Sequence, residues 1–299
     1  MSGLTATRIP WARACDARRW DVLTGCDNPP EVCAVKATEA GCWAEKRAEQ
    51  EVCRACETCV VMDGRICGPY LTAFEPSYHP DLLDAPLRAK RDCNIIVGIE
   101  SDPFCPGMRS EWRKPVWDMM EKCYREGRRH NFILLTKNPA GIIEGEVPNL
   151  ETLWLGVSIT GVGDVLKLTH LLSTGWFDSS HIWASFDPIL GDDPELSSDY
   201  KPRQRLRLHL HLVGIEFAVI GGLTDGHRRV IPADEGGTRA EWVAPVIEAA
   251  GNAGCDIFLK SLTARELAGS IHPCTGEPLT SVRQLRELPD VWLRLRRTG

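Results

Sequence analysis

The chain has 299 residues, 43% hydrophobic and 25% charged, which is the balance of a folded enzyme and excludes a disordered or fibrous protein. A formal net charge of -6 excludes a surface that is basic throughout, while clusters such as Arg203 to Arg207 and Arg125 to His130 leave local contact with nucleic acid open. No stretch reaches the apolar length of a membrane span and Met1 to Pro10 has no apolar core, so no membrane partner and a cytoplasmic location are expected.

In chain order, an N-terminal extension over residues 1–19 leads to a first predicted strand, Trp20 to Thr24. A region crowded with thiols follows. Of 13 cysteines, seven fall directly after this strand: Cys26, Cys33 and Cys42 spaced C-x6-C-x8-C, then Cys53, Cys56, Cys59 and Cys67 spaced C-x2-C-x2-C-x7-C. A cytoplasmic chain does not rely on disulfides, so such crowding reads as metal ligation. Seven divides into three plus four. Zinc takes four ligands in a structural site, whereas a 4Fe-4S cluster accepts either four thiolates or three with one iron left open. The close C-x2-C-x2-C spacing strains a tetrathiolate zinc site more than a cubane, which favours iron while leaving zinc as the alternative for Cys53 to Cys67.

Beyond the cysteines, short β-branched runs alternate with amphipathic segments. Strands are predicted at Asn94 to Ile99, Asn131 to Leu135, Leu153 to Ser158, His181 to Phe186, Phe217 to Ile220 and Asp256 to Leu259. Helices are predicted at Met108 to Glu126, Asp164 to Ser173 and Arg239 to Ala253, where apolar residues recur at three and four. Leu190 to Leu212 reads as an excursion. The C-terminal extension, 263–299, carries Leu285, Leu288, Val291 and Leu293 as a short packed segment. This alternation implies an α/β fold, either a partial (β/α) barrel with a cysteine-rich insertion at 51–70 or an open doubly wound sheet.

In a barrel, chemistry sits where the strands end, and those ends are polar or small: Thr24-Gly25-Cys26, Glu100-Ser101-Asp102, Thr136-Lys137-Asn138, Ser158, Asp187-Pro188, Gly221-Gly222 and Lys260-Ser261. Carboxylates there suit a cationic ligand, although Asp102 also stands where it could cap the helix that follows. Cys105 stands just past the second strand, where a lone thiol is more often inert packing than a reactive group. Gly221-Gly222 permits close backbone approach without forming a full G-x-G-x-x-G loop. His79, His130, His227 and His272 have no spacing that requires metal or triad chemistry.

Thr24-Gly25-Cys26, Cys33 and Gly41-Cys42-Trp43-Ala44-Glu45 resemble the radical S-adenosylmethionine (SAM) enzymes, closest to a phage-associated branch with TGC, then C, then C-aromatic-A-E. That branch has two residues between its second and third cysteines, and this chain has eight. The likeness continues through Glu100-Ser101-Asp102-Pro103-Phe104, Leu135 to Pro139, Trp154 to Ser158, Ser185 to Gly191, Val219 to Gly222 and Phe258 to Lys260, covering most of 20–262. Asp187 stands where the family has Glu. The resemblance implies a barrel of the radical SAM type over 20–262. It also implies a SAM-binding 4Fe-4S cluster on Cys26, Cys33 and Cys42, with Trp43 beside the adenine. Cys53, Cys56, Cys59 and Cys67 would hold a second 4Fe-4S cluster. By position Glu100, Ser101, Asp102, Lys137 and Ser158 would face SAM, and Cys105 would be the catalytic candidate. Family chemistry implies reductive cleavage of SAM by an electron from a donor such as flavodoxin or ferredoxin, then hydrogen abstraction from substrate. Relatives in the phage branch imply DNA or a modified nucleobase as substrate, with an isomerase acting on a glycyl-modified thymidine as the nearest model. A peptide- or small-molecule-modifying enzyme and a zinc-stabilised nucleic-acid-binding protein are the alternatives.

Overall fold

The computed structural model describes residues 3–49, 74–161, 164–173, 180–190, 212, 214–225 and 229–297. The second cysteine group, Cys53 to Cys67, and nearly all of the predicted excursion at 190–212 lie outside the described residues.

The fold is α/β, built on one mostly parallel sheet of eight strands. Its strands are β1 (Thr5–Ala6), β2 (Arg18–Trp20), β5 (Asn94–Val97), β6 (Asn131–Thr136), β7 (Leu153–Ser158), β8 (His181–Phe186), β9 (Phe217–Gly221) and β10 (Asp256–Lys260). They lie side by side in that order, and only β1 runs antiparallel. A doubly wound sheet reverses its order at a switch point, and this order contains no reversal.

The first predicted strand is corrected by the structure. Trp20 to Thr24 is not one strand: β2 begins two residues earlier and ends at Trp20, and β3 (Leu23–Thr24) pairs instead with β4 (Ser77–Tyr78) in a separate antiparallel ribbon. The break falls at Asp21, whose carboxylate turns back to Arg19 Nη2 at 2.7 Å.

Strand alternation divides the core in two. Ile95, Val97, Phe132, Leu134, Leu155, Ile182, Ala218 and Ile257 face the crossover helices α3 (Ser110–Arg125), α4 (Val165–Ser173) and α5 (Ala240–Asn252). Helix α3 buries Val116, Trp117, Met120 and Cys123, a stripe one to four residues apart that covers one face. The residues between, Ile96, Ile133, Trp154, Trp183, Phe217, Val219 and Phe258, face the other way and pack against α1 (Pro10–Ala14) and α6 (Asp290–Arg297). There Trp292 meets Trp154, Phe217 and Trp11 with ring centroids at 4.9, 5.0 and 5.6 Å, and Trp11 meets Trp183 at 5.4 Å. The two terminal helices thus plug one face of the sheet with aromatic rings, whose edge-on pairs add to their area burial. Leu285 and Leu288 are buried as the packed C-terminal segment predicts. Among the described residues, no helix is long and apolar enough to cross a membrane.

Candidate functional site

The polar strand ends lie on the same face as the aromatic plug, at the C-terminal edge of the sheet. Lys137, Ser158, Asp187, Gly221 and Lys260 each continue the alternation of Ile133, Trp154, Trp183, Phe217 and Phe258.

Cys26 is placed by its glycine. Gly25 has φ +78°, and a Cβ there would lie 2.0 Å from the Glu75 carbonyl oxygen. Only glycine allows this approach, which lets Cys26 N–H donate to Phe74 O at 2.9 Å while Gly25 N–H reaches Glu100 O at 3.1 Å. The Cys26 thiol is held below the ordinary thiol range, first by a hydrogen bond from the Cys105 thiol, then by the Asn28 N–H and the Lys36 ammonium, against the opposing effect of burial. Cys105, 1% exposed, is pushed strongly upward by the same contact. The one contact thus lowers the Cys26 thiol and raises that of Cys105. Cys42 is raised by burial and by Cys33 nearby, with the Lys137 ammonium pulling the other way. Cys26 and Cys42 pack against the same small cluster of Ala44, Ala48 and Phe74. Trp43, beside Cys42, is 43% exposed.

Glu100 is buried, with Arg19 Nη2 at 2.8 Å and Arg47 Nη1 at 2.7 Å on its carboxylate. Arg47 belongs to the helix at 43–49, here α2, so this ion triad fastens the cysteine-bearing segment to β2 and the end of β5. Ser101 Oγ donates to Gly98 O at 2.9 Å. Asp102 does not cap α3, whose first residue follows Arg109 without a side-chain cap. Its carboxylate instead accepts four hydrogen bonds: Asn28 Nδ2 at 2.6 Å, Phe104 N–H at 3.0 Å, Thr136 Oγ1 at 2.7 Å and Lys137 N–H at 2.7 Å. Two oxygens offer about four lone-pair sites, so protein donors fill Asp102.

Lys137 Nζ donates to Ser158 Oγ at 2.9 Å, joining neighbouring strands β6 and β7. Farther along the same edge of the sheet, Lys260 Nζ meets Asp187 Oδ2 at 2.5 Å. Gly221 makes room for this pair, since a Cβ there would sit 2.3 Å from Asp187 Oδ1 and 3.2 Å from Lys260 Cγ. The glycine pair serves close packing of side chain and backbone, in keeping with the absence of a phosphate-loop motif.

The family model described as "Protein of unknown function (DUF5131)" matches residues 6–272. The chain belongs to that family. No curated protein and no solved structure matches it. The matched span runs from β1 through β10 and holds every described residue of the candidate site.

Hydrogen bonds and charge interactions bring Cys26, Cys105, Asp102, Lys137, Ser158 and Cys42 into one connected neighbourhood, with Cys33 acting on Cys42. Glu100 and Ser101 adjoin it through their own protein partners. Among the described residues, no three His, Cys, Asp or Glu side chains are gathered around a single-ion position. The nearby sulfur donors Cys26, Cys33 and Cys42 are all thiols, which suits soft iron-sulfur ligation. Sequence reasoning passed over Asn28, Arg19 and Arg47. Asn28 follows the TGC motif by two residues and is wholly buried, and only the fold brings it to Asp102.

Proposed function

We propose that the protein is a radical SAM enzyme that acts on a modified thymine base in DNA. The observation that carries the reading is the grouping of Cys26 and Cys42 on one small cluster, with Cys33 and Lys137 near Cys42, beside a sheet whose parallel strands follow chain order. A partial (β/α) barrel of the radical SAM type has this strand order. Cys26, Cys33 and Cys42 would hold the SAM-binding 4Fe-4S cluster, and Cys53, Cys56, Cys59 and Cys67 a second one. When bound, cluster and SAM supply the one-electron chemistry that removes a hydrogen atom from substrate.

The chain's own residues supply binding and order. The Lys137 ammonium, steadied by Ser158, offers a cation to the carboxylate of SAM, and exposed Trp43 offers an aromatic face to its adenine. Asp102 fixes Asn28, Thr136 and the Lys137 backbone at once, so the strand ends keep their spacing. Glu100 with Arg19 and Arg47 holds α2, and with it Cys42, against the sheet. Cys105 keeps a buried proton beside Cys26. Asp187 and Lys260 present opposite charges farther along this edge of the sheet, where polar groups of a nucleobase could be aligned.

Anaerobic purification and reconstitution tests this. About eight irons per chain and 5'-deoxyadenosine formed from SAM with dithionite are expected, and Cys33→Ala is expected to abolish the product. Zinc without iron would sink the proposal in favour of a zinc-stabilised binding protein. Incubation with modified phage DNA in deuterated buffer, followed by nucleoside mass analysis, tests the substrate. Unchanged nucleosides would move the reading to a peptide or small-molecule substrate.

A further inference from the structure

At the opposite end of the sheet from the cysteines, where β2 and β5 begin, a half-open cleft of about 330 Å³ lies beside the 88–94 segment and α6. Its walls carry four cations, Arg18, Arg88, Lys90 and Arg91, against two carboxylates, Asp16 and Asp92; Arg88 is paired with Asp84 outside the lining, which leaves Arg18, Lys90 and Arg91 to set its charge. This local positive excess stands out on a chain of net charge -6.

The internal ion pairs are weak. Asp16 is shared between Arg18 at 3.8 Å and Arg91 at 3.5 Å, long contacts between side chains that are 39–50% exposed. Such pairs contribute little against water, and both guanidinium groups keep donors for a stronger acid. The arrangement is also held in place from below. His130, 1% exposed, accepts from Cys93 N–H through Nδ1 at 3.2 Å and donates through Nε2 to Pro86 O at 3.0 Å. One neutral imidazole thereby ties both ends of the segment that carries Arg88, Lys90 and Arg91. Arg128 adds a hydrogen bond to Leu87 O at 3.2 Å. A cationic rim on an anchored segment loses little order when an anion arrives.

The rest of the lining is Leu4, Ala89 and Leu295, with Cys15, Cys93 and the buried Asn94, whose amide is taken up by Cys15 O, Trp292 O and Asn131 Nδ2. A volume of about 330 Å³ is at the small end of organic-ligand sites. Cations at the rim and aliphatic side chains within call for a ligand that is anionic at one end and presents an apolar face at the other.

We propose that this cleft binds a nucleoside phosphate, its phosphates on Arg18, Lys90 and Arg91 and its base against Leu4 and Leu295. Planar guanidinium forks suit phosphate oxygens in pairs. The proposal does not depend on the cysteine site.

The test is titration calorimetry of the full chain with ADP, inorganic pyrophosphate and a short DNA duplex as probes. ADP is expected to bind one per chain, more tightly than pyrophosphate, and to weaken at least about tenfold in the Lys90→Ala, Arg91→Ala double variant. Both positions are exposed, so the variant should fold, and circular dichroism checks that it does. Lys114→Ala, on α3 away from the cleft, should leave ADP binding unchanged. Any of four results overturns the proposal: no heat with ADP, affinity unaltered in the double variant, pyrophosphate binding as tightly as ADP, or the duplex binding where ADP does not.

Discussion

Asp102 illustrates how far a single side chain can differ from its motif. The sequence places it at a strand end, facing a cationic ligand or capping a helix; in the fold its two oxygens join Asn28, Phe104, Thr136 and Lys137. Asp102→Asn would set an amide N–H₂ against donors, and a buried clash of that kind costs about 2–3 kcal/mol. A matching drop in unfolding free energy by urea titration is expected; an unchanged midpoint would remove Asp102 from this positioning role. Cys105 gives a second residue-level outcome. Its thiol is the largest influence holding Cys26 down, so Cys105→Ala should move Cys26 back toward the ordinary thiol value. In cluster-free protein, iodoacetamide labelling of Cys26 followed against pH should then need a higher pH for half-maximal rate.

At the level of elements, α2 is short, and its link to the sheet is electrostatic. Arg47 is 42% exposed while the Glu100 side chain it meets is fully buried, and Arg19 supplies a second cation. Arg47→Ala therefore leaves the carboxylate paired, and the expected loss in global stability is about 1 kcal/mol or less. The local effect should be larger, seen as faster hydrogen exchange at the amides of residues 44–48 and lower iron retention after reconstitution. Equal protection in both proteins would show that α2 is held otherwise. The same scale explains the one strand misread from sequence. Trp20 to Thr24 is apolar enough for a single strand, but the Arg19–Asp21 contact turns the chain after Trp20. Leu23 and Thr24 then pair with residues 77–78, a partner some fifty positions away.

Across the whole molecule, two histidines, the buried His130 and the half-buried His79, couple stability to pH. Burial depresses both His130 and His79, opposed in each case by a nearby aspartate, Asp92 and Asp81. The native state thus binds a proton less readily than the unfolded chain, whose histidines titrate near about 6.5. Their contribution is complete above that value and is lost as pH falls through it toward the lower native values. The urea midpoint should therefore decline between about pH 7.5 and 5.5, and His130→Gln should flatten the decline. A midpoint that rises on acidification over that range would reverse the sign and refute the assignment. Asp256, raised by burial and by Glu287, acts in the opposite sense, but within the lower carboxylate range.

Much of this architecture was legible in the sequence, because strand and helix periods are local. Six predicted strands and three helices fall within a few residues of their positions, since each buried stripe recurs at the spacing its own backbone imposes. The crowding of Cys26, Cys33 and Cys42 behind the first strand is likewise a local feature of the sequence. Tertiary structure alone decided which partners those residues meet. Cys26 with Cys105, Asp102 with Asn28, Glu100 with Arg47 and Asp187 with Lys260 are joined across separate strands and loops. No local period encodes such pairs, because strand order and packing of the sheet bring distant chain segments to one edge. The cationic cleft at the far end of the sheet arises in the same way, from residues 4 to 295 that no sequence window contains together.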